Sequence, residues 1–143
     1  MQLGEIMQKE IEKTEAGISV TEAAARMTEE NIGYLVVVDN GKLTGIITED
    51  DIIRKVVSKG KNPHETKVSD IMVSDVVHTT PEKSIEEGAL IMTEKGIKKL
   101  PIVEGKKLLG IVTASDIIAS EPKMMEKLGE LVIFAKKQKR VAG

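Results

Sequence analysis

Two pairs of residues, each a threonine followed three positions later by an aspartate, are the strongest candidates for chemistry in this sequence. They are Thr48 with Asp51 and Thr113 with Asp116. Each threonine follows a glycine and two aliphatic residues, which indicates a short strand ending where a helix begins. A hydroxyl beside the free N–H groups of a helix N-terminus suits an anion, and a carboxylate one turn later can accept two hydrogen bonds from a cis-diol. The spacing therefore suits a ribose phosphate.

The same residues also have a structural interpretation. Threonine is a good helix N-cap, and an aspartate in the first turn interacts favourably with the helix dipole. For a single copy of the motif, capping would be a sufficient explanation. Two copies in the same frame favour ligand binding by at least one of them.

The two motifs belong to a longer internal repeat. Shifting the sequence by 65 residues without a gap aligns Ile6-Met7 with Ile71-Met72 and Met27-Thr28-Glu29 with Met92-Thr93-Glu94. A long period seen twice predicts a tandem pair of one α/β unit, because solenoids need several shorter copies. We place the first repeat at residues 1–60, the second at 61–120, and an amphipathic helix with a basic tail at 121–143.

Each repeat predicts a short strand, then helix, strand, strand and helix. In the first repeat, Ser19-Val20-Thr21-Glu22 is a capping-box pattern, and Asp39-Asn40-Gly41-Lys42 is a hairpin-turn signal. The predicted fold is α/β of the α+β type. Its helices are placed at about 20–30, 50–58 and 84–94, and its strands at 34–38, 43–48, 99–103 and 108–113.

Composition excludes several classes of protein. The chain has 143 residues, 41% of them hydrophobic, with no cysteine, two histidines and a net charge of −2. Disulfides, thiolate nucleophiles and cysteine-based zinc sites are therefore excluded, and no overall field recruits nucleic acid. The N-terminus has no apolar stretch of signal-peptide length, and no apolar run reaches the roughly 18 residues of a membrane span. We expect a soluble, cytoplasmic protein that is not bound to a membrane.

The sequence resembles a tandem CBS-domain pair, the module named after cystathionine β-synthase, over about residues 3–119. The resemblance rests on the duplicated Gly-apolar-apolar-Thr-any-any-Asp motif, the Ile-Met dipeptides, the ungapped repeat and Leu100-Pro101-Ile102-Val103. It implies two β-α-β-β-α units packed as a pseudo-twofold pair, with two clefts that commonly bind adenosyl ligands.

The resemblance also implies which residues form the clefts, each of which takes its motif from one repeat and its adenine contacts from the other. The aspartates accept from the ribose hydroxyls, the threonines donate to the α-phosphate, and aliphatic side chains contact adenine. Lys98 and Lys99 should converge on the Thr48/Asp51 cleft, which we slightly prefer for anionic ligands. Glu49 and Asp50 oppose a triphosphate there unless these lysines or Mg²⁺ offset their charge. One cleft joins Thr113 and Asp116 to Ile32, Gly33 and Tyr34, and the second joins Thr48 and Asp51 to Val77, Ile97, Lys98 and Lys99.

Three functions follow, in order of preference. The first is a non-catalytic sensor that binds AMP, ATP or S-adenosylmethionine and acts on an effector protein, with no obligatory cofactor and with Mg²⁺ possible beside ATP. The second is a ligand-free scaffold, and the third, which we do not favour, is nucleic-acid binding through the basic tail. An enzyme is least expected, because no activated nucleophile and no glycine-rich phosphate loop are present.

The helices that follow the two motifs predict self-association. They carry apolar residues that one tandem pair would leave as exposed ridges, and a second copy could cover them. We therefore expect a homodimer, whether parallel or antiparallel. The residues concerned are Ile52, Ile53, Val56, Ile117 and Ile118.

Overall fold

The computed structural model describes residues 1–129 and 131, which form two compact units. The terminal unit contains Met1–Glu10, Val77–Gly105 and the chain from Leu109 onward, and the middle unit contains Ile11–Val76 and Lys106–Leu108. These units are not consecutive stretches of the chain, because the first ten residues belong to the same unit as most of the second repeat.

The elements match the predicted mixed fold closely. Both main helices, both hairpins and the first motif helix lie within a few residues of their predicted positions, the second motif helix follows in the predicted order, and the α+β class is confirmed. In chain order, the described elements are α1 (Leu3–Ile6), β1 (Lys13–Thr14), α2 (Val20–Glu30), β2 (Tyr34–Asp39), β3 (Lys42–Thr48), α3 (Glu49–Ile52), a π-helical turn (Ile53–Val57), α4 (Val68–Ile71), α5 (Ile85–Lys95), β4 (Lys99–Glu104), β5 (Lys107–Thr113), α6 (Ala114–Ser120) and a 3₁₀ turn (Pro122–Met124).

The middle unit is built on an antiparallel hairpin, β2–β3, with β1 parallel to β2. Asn40 and Gly41 both have positive φ, at 50° and 79°, as a tight hairpin turn between right-twisted strands requires. The Ser19 hydroxyl accepts from the Glu22 N–H at 3.1 Å and begins α2. The helix packs an aliphatic face on the hairpin, and the resulting core is Val20, Ala23, Met27, Leu35, Val37, Ile47, Val56, Val68 and Ile71.

The terminal unit repeats this plan with α5, β4, β5 and α6. The Ser84 hydroxyl caps α5 by accepting from the Glu87 N–H at 3.1 Å, and Gly96 ends the helix at a φ of 64°. The N-terminal segment is part of this core, because Leu3 is fully buried in it. The buried members are Leu3, Ile85, Ala89, Met92, Leu100, Ile102, Val112, Ala114, Ile117, Met124 and Leu128.

The first part of the C-terminal segment packs on the terminal unit. Residues 125–129 and 131 are helical, and Met124 and Leu128 are buried. Ala135 and the basic residues of the predicted tail lie outside the described residues, so the amphipathic helix and basic tail over 121–143 remain a prediction beyond residue 131. Those basic residues are Lys136, Lys137, Lys139 and Arg140.

Three details differ from the sequence expectations. The short strand predicted at the start of the second repeat is only an isolated bridge between Thr79 and Ile102. The helix predicted over 50–58 starts as α-helix but continues as a π-helical turn, in which the Ser58 N–H donates to the Ile53 carbonyl at 2.8 Å. The expected apolar ridges are also smaller than predicted, because Val56 and Ile117 are fully buried within their own units. In the middle unit, the exposed apolar residues of this helix are Ile53 and Val57, which are 56% and 66% exposed.

Candidate functional site

The first motif, in the middle unit, is closed by reciprocal capping. The Asp51 N–H donates to Thr48 Oγ1 at 3.2 Å, and the Thr48 N–H donates to Asp51 Oδ2 at 2.9 Å. The Thr48 hydroxyl also lies 3.1 Å from Asp51 Oδ2 and donates to it. The aspartate is therefore held at the helix N-terminus by its own threonine, as the capping interpretation predicts.

Asp51 is paired with a cation one helical turn away. Its Oδ1 lies 3.1 Å from Lys55 Nζ, and the same ammonium donates to the Ile71 carbonyl at 2.8 Å. Asp51 is only 9% exposed, and a buried carboxylate needs a partner of this kind. The second bond of Lys55 fixes the ammonium in place against the carboxylate.

The second motif, in the terminal unit, repeats the capping but not the ion pair. The Asp116 N–H donates to Thr113 Oγ1 at 3.1 Å, and the Thr113 N–H donates to Asp116 Oδ2 at 2.9 Å. The additional partner is the amide of Gln8, whose Nε2 lies 3.1 Å from Oδ1 and 3.0 Å from Oδ2. One motif carboxylate is thus paired with a cation and the other with a neutral amide.

The helix-to-strand corner of each unit contacts the motif of the same unit. The Glu49 N–H donates to the Gly33 carbonyl and the Ala114 N–H donates to the Lys98 carbonyl, both at 2.9 Å. Tyr34 pairs with Thr48 in the β2–β3 ladder. The proposed joining of each motif to the corner of the other repeat stays a prediction.

The remaining predicted site residues lie at the surface of their own cores. Ile32 packs against the middle core, Val77 and Ile97 pack against the terminal core, and all three are half-buried. Lys99 is the first residue of β4 and is also half-buried. Each of these residues presents a partly accessible surface, which a ligand contact requires.

The first turn of α3 is more acidic than that of α6. Three consecutive carboxylates, Glu49, Asp50 and Asp51, begin α3, whereas Asp116 is the acidic residue of the first turn of α6. Adjacent carboxylates repel a phosphate at the same helix N-terminus. On this ground the second motif is the more favourable one for an anion, and the slight preference for the first motif, which depends on Lys98 and Lys99, stays a prediction.

A cavity of about 380 Å³ in the middle unit was not anticipated from the sequence. It lies between the end of α2 and the motif helix, and its volume is in the range of small-molecule sites. No short motif marks it, because helix residues with ordinary core spacing form its walls. They are Ala24, Met27, Thr28, Asn31, Ile32, Glu49, Ile52 and Ile53.

Two other kinds of feature, a cluster of metal ligands and a membrane-spanning helix, are absent from the described residues. No group of three or more His, Cys, Asp or Glu side chains in 1–129 and 131 is arranged to hold a metal ion. In the same part of the chain, no helix is long and apolar enough to cross a membrane.

Comparison with known proteins identifies the repeat. The sequence model of the CBS domain matches residues 3–58 and again residues 68–122. The chain belongs to the CBS-domain family. It carries a tandem CBS pair, as the resemblance implied, and such pairs are commonly regulatory or ligand-sensing modules. The repeat boundaries at 60 and 120 stay a prediction.

Relatives of the CBS pair come from distant organisms. The chain is 38% identical over 130 residues to Uncharacterized protein MK0525 of Methanopyrus kandleri, covering 90% of this chain and 66% of that protein. It is similar in structure to a putative signal-transduction protein with CBS domains from Burkholderia ambifaria, with a TM-score of 0.77, 32% identity, and coverage of 84% and 93%.

A hexameric CBS-CP12 protein from bloom-forming cyanobacteria is also similar, with a TM-score of 0.75, 29% identity, and coverage of 99% of this chain and 81% of that one. Because this chain spans just under two thirds of the length of MK0525, the CBS pair corresponds to only part of that relative.

Proposed function

We propose that this CBS pair is a non-catalytic sensor that binds an adenosyl ligand such as AMP, ATP or S-adenosylmethionine and transmits its presence to an effector protein. The observation that carries the proposal is the duplicated Thr–Asp pair. Each aspartate is fixed at a helix N-terminus through Oδ2. Within the described part of the chain, its Oδ1 contacts one longer side chain, Lys55 or Gln8, that can be displaced.

The proposed chemistry is recognition without a reaction. Asp51 or Asp116 accepts from the ribose 2′- and 3′-hydroxyls, while Thr48 or Thr113 turns its hydroxyl toward the α-phosphate. Half-buried aliphatic residues such as Ile32 and Ile97 provide apolar surface for adenine. No cofactor is required, although Mg²⁺ with ATP would reduce the repulsion from Glu49 and Asp50. A cytoplasmic location and the absence of nucleic-acid binding belong to this proposal.

Ligand binding should raise the melting temperature of the purified protein. A ligand at 100 times its dissociation constant stabilises the native state by about 2.7 kcal/mol, which is worth several degrees for a chain of this size. We expect this shift with one or more of AMP, ATP and S-adenosylmethionine in a thermal-shift assay. GMP and GTP serve as matched controls, because they keep the ribose phosphate and change the base. Absence of a shift with every adenosyl compound at millimolar concentration would exclude the sensor function.

A second candidate is an interaction module that self-associates. It is favoured by the exposed Ile53 and Val57 on the motif helix and by the hexameric state of the cyanobacterial relative. Ile53 and Val57 are four residues apart on one helical face, and adjacent exposed apolar side chains of this kind form a candidate interface patch.

We expect a homodimer or larger assembly by light scattering at tens of micromolar. Replacing Ile53 and Val57 together by serine should lower the molecular mass, whereas the matched change at exposed Leu90 should leave it unchanged. A strict monomer before any substitution would contradict this expectation.

A further inference from the structure

The Gln8 side chain occupies the acceptor positions of Asp116. Its backbone is fixed by two hydrogen bonds with Ile111, the Gln8 N–H donating at 2.9 Å and the Gln8 carbonyl accepting at 3.0 Å. Gly110 permits this close approach, because a Cβ there would lie 2.9 Å from the Gln8 carbonyl oxygen. From this backbone position the amide Nε2 reaches both carboxylate oxygens, at 3.1 and 3.0 Å.

Counting acceptor positions shows that Gln8 and a ribose diol compete. A carboxylate offers about four lone-pair positions, two on each oxygen. Among the described residues, Oδ2 accepts from the Thr113 N–H and from Gln8, while Oδ1 accepts from Gln8 alone. One position on Oδ1 therefore remains. A single hydroxyl can use it with Gln8 in place, but two hydroxyls cannot both bind until the amide leaves.

The other repeat shows that this contact is not needed to build the fold. Val73 stands at the position of Gln8 and makes the same pair of backbone hydrogen bonds, to Ile46, at 2.9 Å each. A valine cannot donate to Asp51, whose Oδ1 instead contacts Lys55. The position of Lys55 is taken by Ser120 in the second repeat. The backbone arrangement therefore does not require an amide side chain at position 8, and the Gln8 contact is specific to the Asp116 motif.

We propose that Gln8 is a specificity-determining residue of the Asp116 motif, where its amide competes with a ribose diol and reduces the preference for ribose over 2′-deoxyribose ligands. The inference rests on the proposed adenosyl-binding function. A 2′-deoxy ligand needs only the acceptor position that is already free. A ribose ligand gains its second hydrogen bond to Asp116 only by displacing Gln8. The free energy of that new hydrogen bond is therefore nearly cancelled by the loss of the Gln8–Asp116 contact.

The test compares AMP with 2′-deoxyadenosine monophosphate by calorimetric titration of Gln8→Val, the residue natural to the other repeat. All proteins carry Asp51→Asn, so that the titration reports the Asp116 motif. With Gln8 present, the two nucleotides should bind within about threefold of each other. In Gln8→Val, AMP should bind about tenfold more tightly while the deoxynucleotide changes little, because a hydrogen bond to a charged group corresponds to at least that factor.

Gln8→Asn is the conservative companion variant. It keeps the amide but is one methylene shorter, so it withdraws the donor from the carboxylate and should behave as Gln8→Val does. A merely structural role for Gln8 would lower the melting temperature without changing the ratio of the two affinities. An unchanged ratio in both variants, with AMP still binding, would overturn this inference alone. Failure of both nucleotides to bind any of these proteins would show that the Asp116 motif takes no adenine nucleotide of this kind, which also overturns this inference. The adenosyl-binding proposal falls with it only if AMP, ATP and S-adenosylmethionine also leave the melting temperature of the unsubstituted protein unchanged.

Discussion

Replacing Asp116 by alanine should weaken adenosyl-ligand binding at its motif about ten- to a hundredfold, because a hydrogen bond to a charged group contributes about 1.5 to 3 kcal/mol. The corresponding change at Asp51 should have a similar effect on its own motif. Calorimetric titration of each single variant with AMP and ATP measures both. The more acidic first turn of α3 leads us to expect that Asp116→Ala has the larger effect on ATP.

Two further variants separate ligand recognition from helix capping. Asp116→Asn keeps an oxygen that can accept from the Thr113 N–H but removes the charge, so the fold should be preserved while affinity falls. Asp75→Ala removes an exposed carboxylate outside both motifs and should change neither property. If Asp116→Ala and Asp75→Ala bind AMP equally well, the motif is only a helix cap.

Truncating Leu3 to alanine should destabilise the protein by about 2 to 5 kcal/mol, the usual cost of a large-to-small change in a packed core. Leu3 is fully buried although it is the third residue of the chain. Its packing against α5 is tight, because a Cβ on Gly88 would lie only 2.8 Å from Leu3 Cδ2. Urea denaturation followed by circular dichroism measures the change in the free energy of unfolding.

Leu90→Ala is the matched control for this variant. Leu90 lies on α5 and is 56% exposed, so its truncation should cost well under 1 kcal/mol. Equal stability of the Leu3 and Leu90 variants would show that the N-terminal segment is not part of the core in solution.

Those parts of the fold that depend on local signals could be predicted from the sequence. Helix α2 was located because a capping serine and an apolar period of 3.6 agree, and the β2–β3 turn because Asn40-Gly41 supplies two residues that tolerate positive φ. Because the second half of the chain repeats the first, the same signals also predict α5 and the β4–β5 hairpin. The two Thr–Asp pairs were found in the same way, and their capping geometry is as expected.

The partner of Asp116 could not be found by the same reasoning. Gln8 is 108 residues from Asp116, and no local pattern connects them. Lys55 is different, since a lysine four residues after an aspartate is a known helix pair and its spacing was readable. The π-helical turn could not be predicted from the sequence either. Replacing an i→i+4 backbone hydrogen bond by an i→i+5 bond barely changes the spacing of apolar residues along the helix.

The division of the chain between the units has a consequence for biosynthesis. Residues 1–10 complete the terminal unit, but the strand and helix that they contact are made last, and Asp116 is translated 108 residues after Gln8. At about 5 to 20 residues per second, on the order of 5 to 20 s pass between the synthesis of Gln8 and the synthesis of Asp116. Residues 11–76 contain nearly all of the middle unit and can fold first on the ribosome. During that interval Leu3 has no completed core to pack against, and transiently exposed apolar surface of this kind favours misassociation.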